Sequence, residues 1–215
     1  MSELLTYVQL GVRHIIDVEA FDHILFLVAL AAIYRFRDGR ALLWVITAFT
    51  VGHSITLALA VTGVLALPAA LIEFLIPVTI VITGAENILF SARAPIGRRY
   101  RPLFAGVFGL VHGAGFATYL RSLFVDRVAL PLFGFNLGIE IGQLVVLSAA
   151  AVALAMLDLA LLQLRATPGR WPALRIRAVA VSVAVVAIAS RWAVERSPWW
   201  MSWRSPCSRA RRWHR

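Results

Sequence analysis

Residues 132–162 read LFGFNLGIEIGQLVVLSAAAVALAMLDLALL. A helix needs about 20 apolar residues to span the roughly 30 Å hydrocarbon core of a bilayer, and this stretch exceeds that length. Asn136, Glu140 and Gln143 interrupt it at i, i+4 and i+7, so on a helix they form one stripe. Gly134, Gly138 and Gly142 recur every fourth residue on roughly the opposite side, a spacing that lets a second backbone approach closely. The stretch therefore predicts a membrane helix packed tightly on one face, with a carboxylate and two amides on the other.

The rest of the chain agrees with that class. Of its 215 residues 60% are hydrophobic and 15% charged, and the mean hydropathy is +0.81, so we expect an all-α integral membrane protein. Six apolar stretches are candidate spans, at about 15–34, 41–66, 69–91, 103–121, 132–162 and 176–194. The first is crowded at its start by Asp17, Glu19 and Asp22, which leaves open an interfacial helix over 4–19 leading into a shorter span. Pro68 marks a tight turn, and Pro77 is expected to kink the third span. Arginines set the orientation. Eleven lie after spans one, three and five (Arg35, Arg37, Arg40, Arg93, Arg98, Arg99, Arg101, Arg165, Arg170, Arg175 and Arg177), against Arg13, Arg121 and Arg127 on the other side. That bias puts the N-terminus outside. Seven further arginines from Arg191 onward oppose it, so either the last span does not cross or, the reading we prefer, C-terminal charges have little say once five helices are set. Residues 1–194 make one transmembrane bundle and 195–215 a basic, Trp- and Arg-rich tail expected to be disordered. The net charge of +10 is thus a matter of loop and tail placement, and no nucleic-acid partner is expected. The single cysteine, Cys207, excludes an internal disulfide and a thiolate metal site. The opening MSELLTYVQLGVRHI lacks the features of a signal peptide.

Inside these spans stand residues that lipid disfavours. A charge near the bilayer centre costs about 2.5–3.5 kcal/mol on insertion scales, so such residues pair, line a path or hold an ion. Asp22 and His23 open the first span, and His53 lies in the second with Thr50, Ser54 and Thr56 nearby to orient its ring. Thr79, Thr83, Glu86 and Asn87 share about a third of the third helix's circumference. His112 stands beside Gly106, Gly109 and Gly113 in the fourth. Singly, each reads as well as interhelical glue worth about 0.6–2 kcal/mol. Together, His23, His53, His112 and Glu140 come from four helices and make a ligand palette for a divalent metal. By depth, Asp22, His23, Asn136 and Glu140 lie in the outer half and the other two histidines near mid-span. Glu86 lies nearer the cytoplasm, as a separate gate, a second site or an interface residue.

The strings DHILFLVAL (22–30), TAFTVGHSITLAL (47–59), AENILF (85–90), FGLVHGAGFA (108–117) and FNLGIEIGQ (135–143) resemble, in order and spacing, the HupE/UreJ family of bacterial membrane proteins. Members accompany hydrogenase and urease systems and are regarded as nickel permeases or facilitators. The resemblance implies metal-related roles for Asp22, His23, His53, His112 and Glu140. One departure stands out. The family places a histidine six residues before the Asp-His pair, where this chain has Ile16, while His14 stands eight before Asp22. On a continuous helix His14 and His23 point about 180° apart. Either the segment is broken between them or His14 has left the site, in which case Glu19, four before His23, could substitute.

The expected function is a multi-pass permease of the bacterial inner membrane for a divalent transition metal. Nickel comes first, with cobalt or zinc also suited to imidazole and carboxylate. Asn136, Gln143 and Glu86 complete the candidate metal-related set. No tightly bound cofactor and no catalytic residue is expected. The bilayer and the metal are the partners, and a homo-oligomer is admitted. Two other readings predict different behaviour. An intramembrane zinc hydrolase would use three histidines and a carboxylate base, although no HExxH pairing is present. An accessory protein would use the polar residues for packing only.

Overall fold

The computed structural model describes residues 3–17, 21–35, 38–90, 96–115, 128–164 and 173–198, and every element among them is a helix. In chain order these are α1 (Glu3–Ile16), α2 (Phe21–Ala31), α3 (Gly39–Val61), α4 (Ala69–Phe90), α5 (Ile96–Gly115), α6 (Ala129–Leu164) and α7 (Ala173–Glu195). Residues 196–198 extend just past α7, and the rest of the basic tail, with its expected disorder, lies outside the described residues.

Among the described residues four helices are long and apolar enough to cross a membrane, namely α3, α4, α6 and α7, as in a multi-pass membrane protein. They match the expected spans at 41–66, 69–91, 132–162 and 176–194. The other two expected spans differ, and six full spans are not reached by helix length and composition. The stretch 15–34 is divided, because α1 ends at Ile16 and the 11-residue α2 begins at Phe21. Three carboxylates within six residues, at Asp17, Glu19 and Asp22, disfavour a helix running through apolar surroundings there. α5 carries Arg98, Arg99 and Arg101 in its first turns, and residues 116–121 of its expected span lie outside the described set.

Three close helix pairs build the bundle, and glycine sits at each contact. α3 packs on α5 through Gly52, Gly109 and Gly113; a Cβ at Gly113 would lie 2.9 Å from the His53 Cα. α1 packs on α6, with Gly11 against Phe135 and Gly138, and Gly134 and Gly142 against Leu4, Tyr7 and Ile15. The close approach expected on the glycine face of 134–142 is therefore made, and its partner is α1. The third pair is α4 with α7, where a Cβ on Gly84 would meet Val186 at 2.6 Å.

α2 lies among these pairs. It is apolar all round, and Leu25, Phe26, Leu27, Ala29, Leu30 and Ala31 are all buried, as such a helix must be. Its end is held by Arg177 of α7, which donates to Ala32 O at 3.2 Å and Tyr34 O at 2.7 Å and pairs with Asp158 of α6. These contacts correct the orientation count. Arg101 and Arg177 are buried within helices rather than carried on loops, which removes these two from the eleven, and Arg40, Arg98, Arg99 and Arg175 also lie within helices.

Outward faces are apolar. Leu43, Trp44, Val51, Ile55 and Leu59 of α3 are exposed at helical spacing, opposite buried Phe49, Thr50, His53 and Leu57. That inversion of the soluble pattern suits a helix whose solvent is lipid. Just past α3 stands Gly63, whose φ of 78° is open to glycine, while Gly63 N donates to Ala60 O and Leu65 N to Leu59 O. The short link to α4 ends at Pro68, whose carbonyl accepts from Leu71 N and Ile72 N. Pro77 lies inside α4, which is one helix from Ala69 to Phe90.

Candidate metal centre

His14 is in the last turn of α1, His23 in the first turn of α2, and His53 in the middle of α3. One ring nitrogen from each lies within 4.8 Å of the others. The break between Ile16 and Phe21 is what makes this possible, because it frees the end of α1 to turn His14 toward His23. Their ring centroids are 4.7 Å apart, and the His14 and His53 rings 6.1 Å. His112 of α5 extends the group, with its ring 5.3 Å from that of His23. Four of the five histidines of the chain thus meet between four helices.

Helix packing fixes this geometry. His53 and His112 sit on α3 and α5, whose backbones touch at Gly109 and Gly113. Phe135 of α6 flanks the group at 5.6 Å from His14 and 6.4 Å from His53. Phe26 and Phe49 close on His112 at 5.5 and 5.2 Å. The imidazoles are therefore held in aromatic surroundings that keep water away and strengthen any charge interaction inside.

The donor chemistry fits a divalent cation. Both ring nitrogens of His53 are buried and have no hydrogen-bond partner among the described residues, and the same holds for Nδ1 of His112. A buried polar atom without a partner costs about 1–3 kcal/mol, which a metal bond removes. Three points no more than 4.8 Å apart share a centre within about 2.8 Å of each, against a zinc–imidazole bond of about 2.0–2.1 Å, so modest side-chain closure completes a site.

The other expected residues are placed differently. Asp22 pairs through Oδ2 with Arg196, 3.0 Å away past the end of α7, so it faces that helix while its neighbour His23 faces the imidazoles. Gln143 is buried and its Oε1 accepts from Thr50 Oγ1 at 3.0 Å. Asn136 and Glu140 are partly buried on the same α6 stripe, and Asn136 Oδ1 is buried without a partner among the described residues. Glu86 is 3.3 Å from Arg101. None of these five belongs to the group of three close nitrogens.

The hydroxyls also differ from expectation. Thr50 serves Gln143, and Ser54 donates to the carbonyl of Thr50 on its own helix. The hydroxyl that reaches an imidazole is Thr79, 3.0 Å from His112 Nε2, and it comes from α4. Spacing within one helix could not reveal a partner on another. Glu19, the alternative to His14, lies outside the described residues.

A family model described as HupE / UreJ protein matches residues 1–196. The chain belongs to the HupE/UreJ family. No curated protein and no solved structure matches it. In this HupE/UreJ chain the rings of His14 and His23 lie 4.7 Å apart across the end of α1 and the start of α2.

Proposed function

We propose that this chain is a permease or facilitator for a divalent transition metal ion, held in passage by His14, His23, His53 and His112. The observation that supports it most is the approach of three imidazole nitrogens from three helices within one bundle. Imidazole ligands suit nickel, cobalt and zinc, and the lack of Met or Cys among them disfavours copper(I). Nickel is the first choice, carried from the family resemblance. Asp22 and Glu140 serve as the entry carboxylates, Asn136 and Gln143 as polar lining, and Glu86 as an acceptor at the other end.

Conduction needs ligands strong enough to replace hydration and few enough to release the ion. Three or four neutral imidazoles without a carboxylate among them meet both conditions. The N-terminus is placed outside from the loop arginines, in the inner membrane of a bacterium. Cellular nickel accumulation tests the reading. His53→Ala and His112→Ala are expected to lower accumulation at least tenfold at equal protein abundance, and unchanged accumulation in both contradicts it.

A second reading, an intramembrane zinc hydrolase, is favoured by the three-histidine grouping, which resembles a zinc site with one open position. It needs a carboxylate base beside the metal. Stoichiometric zinc that survives brief chelation, with no ion passage in vesicles, would select it over the permease.

A further inference from the structure

Beyond the histidines, α4 and α5 carry polar residues onward to a second cluster. Thr79, Thr83 and Asn87 repeat every four residues along α4, all buried, with Glu86 beside Asn87. Arg101 and His112 are both buried on α5; eleven residues put them on nearly one face, about 16 Å apart along the axis. Arg101 Nη2 donates to Asn87 Oδ1 at 2.7 Å and lies 3.3 Å from Glu86 Oε1. Asn87 Nδ2 donates in turn to Ala29 O at 2.7 Å and Ser182 Oγ at 3.1 Å, joining α2, α4, α5 and α7. Between the two polar levels lies an aromatic layer. The ring of Phe26 is 5.0 Å from Phe49 and 6.3 Å from Phe108, and these three stand three or four residues from His23, His53 and His112 on their own helices.

Two features single out Arg101. A guanidinium only 5% exposed within a membrane bundle needs a partner or a task. Its Nη1 is buried with no hydrogen-bond partner among the described residues, so the cluster holds it incompletely. A half-satisfied buried network is easier to leave than a complete one. The oxygens it does occupy, a carboxylate and an amide, are the donors at the next polar level beyond the imidazoles.

We propose that Arg101 is a tethered cation that closes the far end of the path by occupying Glu86 and Asn87, and that a metal ion passes only when Arg101 gives up these oxygens. The inference rests on the permease reading. Arg101 repels the approaching ion while Glu86 attracts it, so the two residues act on passage in opposite senses. The aromatic layer excludes water between the levels, which leaves both effects poorly screened.

Two measurements on the full chain separate the possibilities. Ni2+ entry into proteoliposomes, followed with an enclosed quenched dye, reads passage. Co2+ visible absorption of the detergent-solubilised protein reads occupancy of the imidazoles. Arg101→Met keeps the side-chain bulk without charge and is expected to speed Ni2+ entry about tenfold, the scale of a focusing charge, with Co2+ absorption unchanged. Glu86→Gln is expected to slow entry by a similar factor, again with Co2+ absorption unchanged. Both variants slowing in step with the amount of folded protein marks a packing role and overturns the proposal, as do wild-type rates in both. If Arg101→Met does not fold, Glu86→Gln decides alone, since unchanged entry per folded molecule overturns the proposal. Wild-type protein that neither binds Co2+ nor admits Ni2+ removes the permease reading and this role together. Normal wild-type behaviour with an unaltered Arg101→Met rate removes only the role of Arg101.

Discussion

His53 is wholly buried in an apolar helix, and neither of its ring nitrogens has a hydrogen-bond partner among the described residues. A buried histidine kept only for packing usually has a hydrogen-bond partner on its ring. The open nitrogens of His53 are better explained by a ligand that comes and goes. His14 adds the third nitrogen to the group, and its place there rests on the end of α1. His14→Ala is expected to weaken Co2+ or Ni2+ binding by about tenfold or more, some 1.4 kcal/mol, measured by equilibrium titration of the solubilised protein. Equal affinity in the variant would return His14 to a packing role. Part of the histidine group was legible in the residues alone, since His23, His53 and His112 stand out in strings that, apart from Asp22, hold only apolar and small side chains, whereas Glu140, expected with them, is not among the three close nitrogens. Whether His14 belongs was not legible. Its phase excluded it from a continuous helix, and only the division at Asp17, with acids at 17, 19 and 22 as the available signal, brings it back.

At the scale of elements, each helix pair positions chemistry through glycine. A side chain at Gly113 collides with the His53 backbone, and relieving it separates α3 from α5, which carry two of the four imidazoles. Overpacking of this kind costs about 1–3 kcal/mol and shifts the backbone. Gly113→Ala is expected to lower metal affinity at least tenfold with the helix content kept, measured by the same titration beside circular dichroism. Gly39→Ala, where a new methyl meets nothing within 4 Å, serves as the unaffected control. Wild-type affinity in Gly113→Ala would show that the two helices need not touch for the site to form. The glycine face of α6 was legible from its four-residue period, but its partner was not, because nothing in that period distinguishes α1 from any other helix. The same limit hid Arg101, which reads as a loop arginine until α5 is seen to begin at Ile96.

For the whole molecule, three glycine-joined pairs surround a short buried helix, with lipid-facing apolar surfaces outside and two polar levels inside. Class and architecture followed from composition and the long apolar runs, while the exact set of spans did not, since α2 and α5 fall short of the usual length or apolarity. An N-terminus on the outside is the orientation proposed from the arginine bias of the sequence. In a Cys207→Ser background, a cysteine at Ser2 is expected to react with an impermeant maleimide in intact cells, and reaction only after lysis reverses the orientation. The proposed function turns on one arrangement, imidazoles from separate helices close enough to gather around a single divalent ion. X-ray absorption of the purified zinc-loaded protein reads that arrangement directly, because imidazole rings scatter in a characteristic way. At least three imidazole nitrogens at about 2.0–2.1 Å are expected, with one fewer in His53→Ala and zinc lost as the pH is lowered, since each ring must shed its proton to bind. An oxygen-only shell, or a spectrum unchanged in His53→Ala, would contradict the convergence of these histidines on a metal.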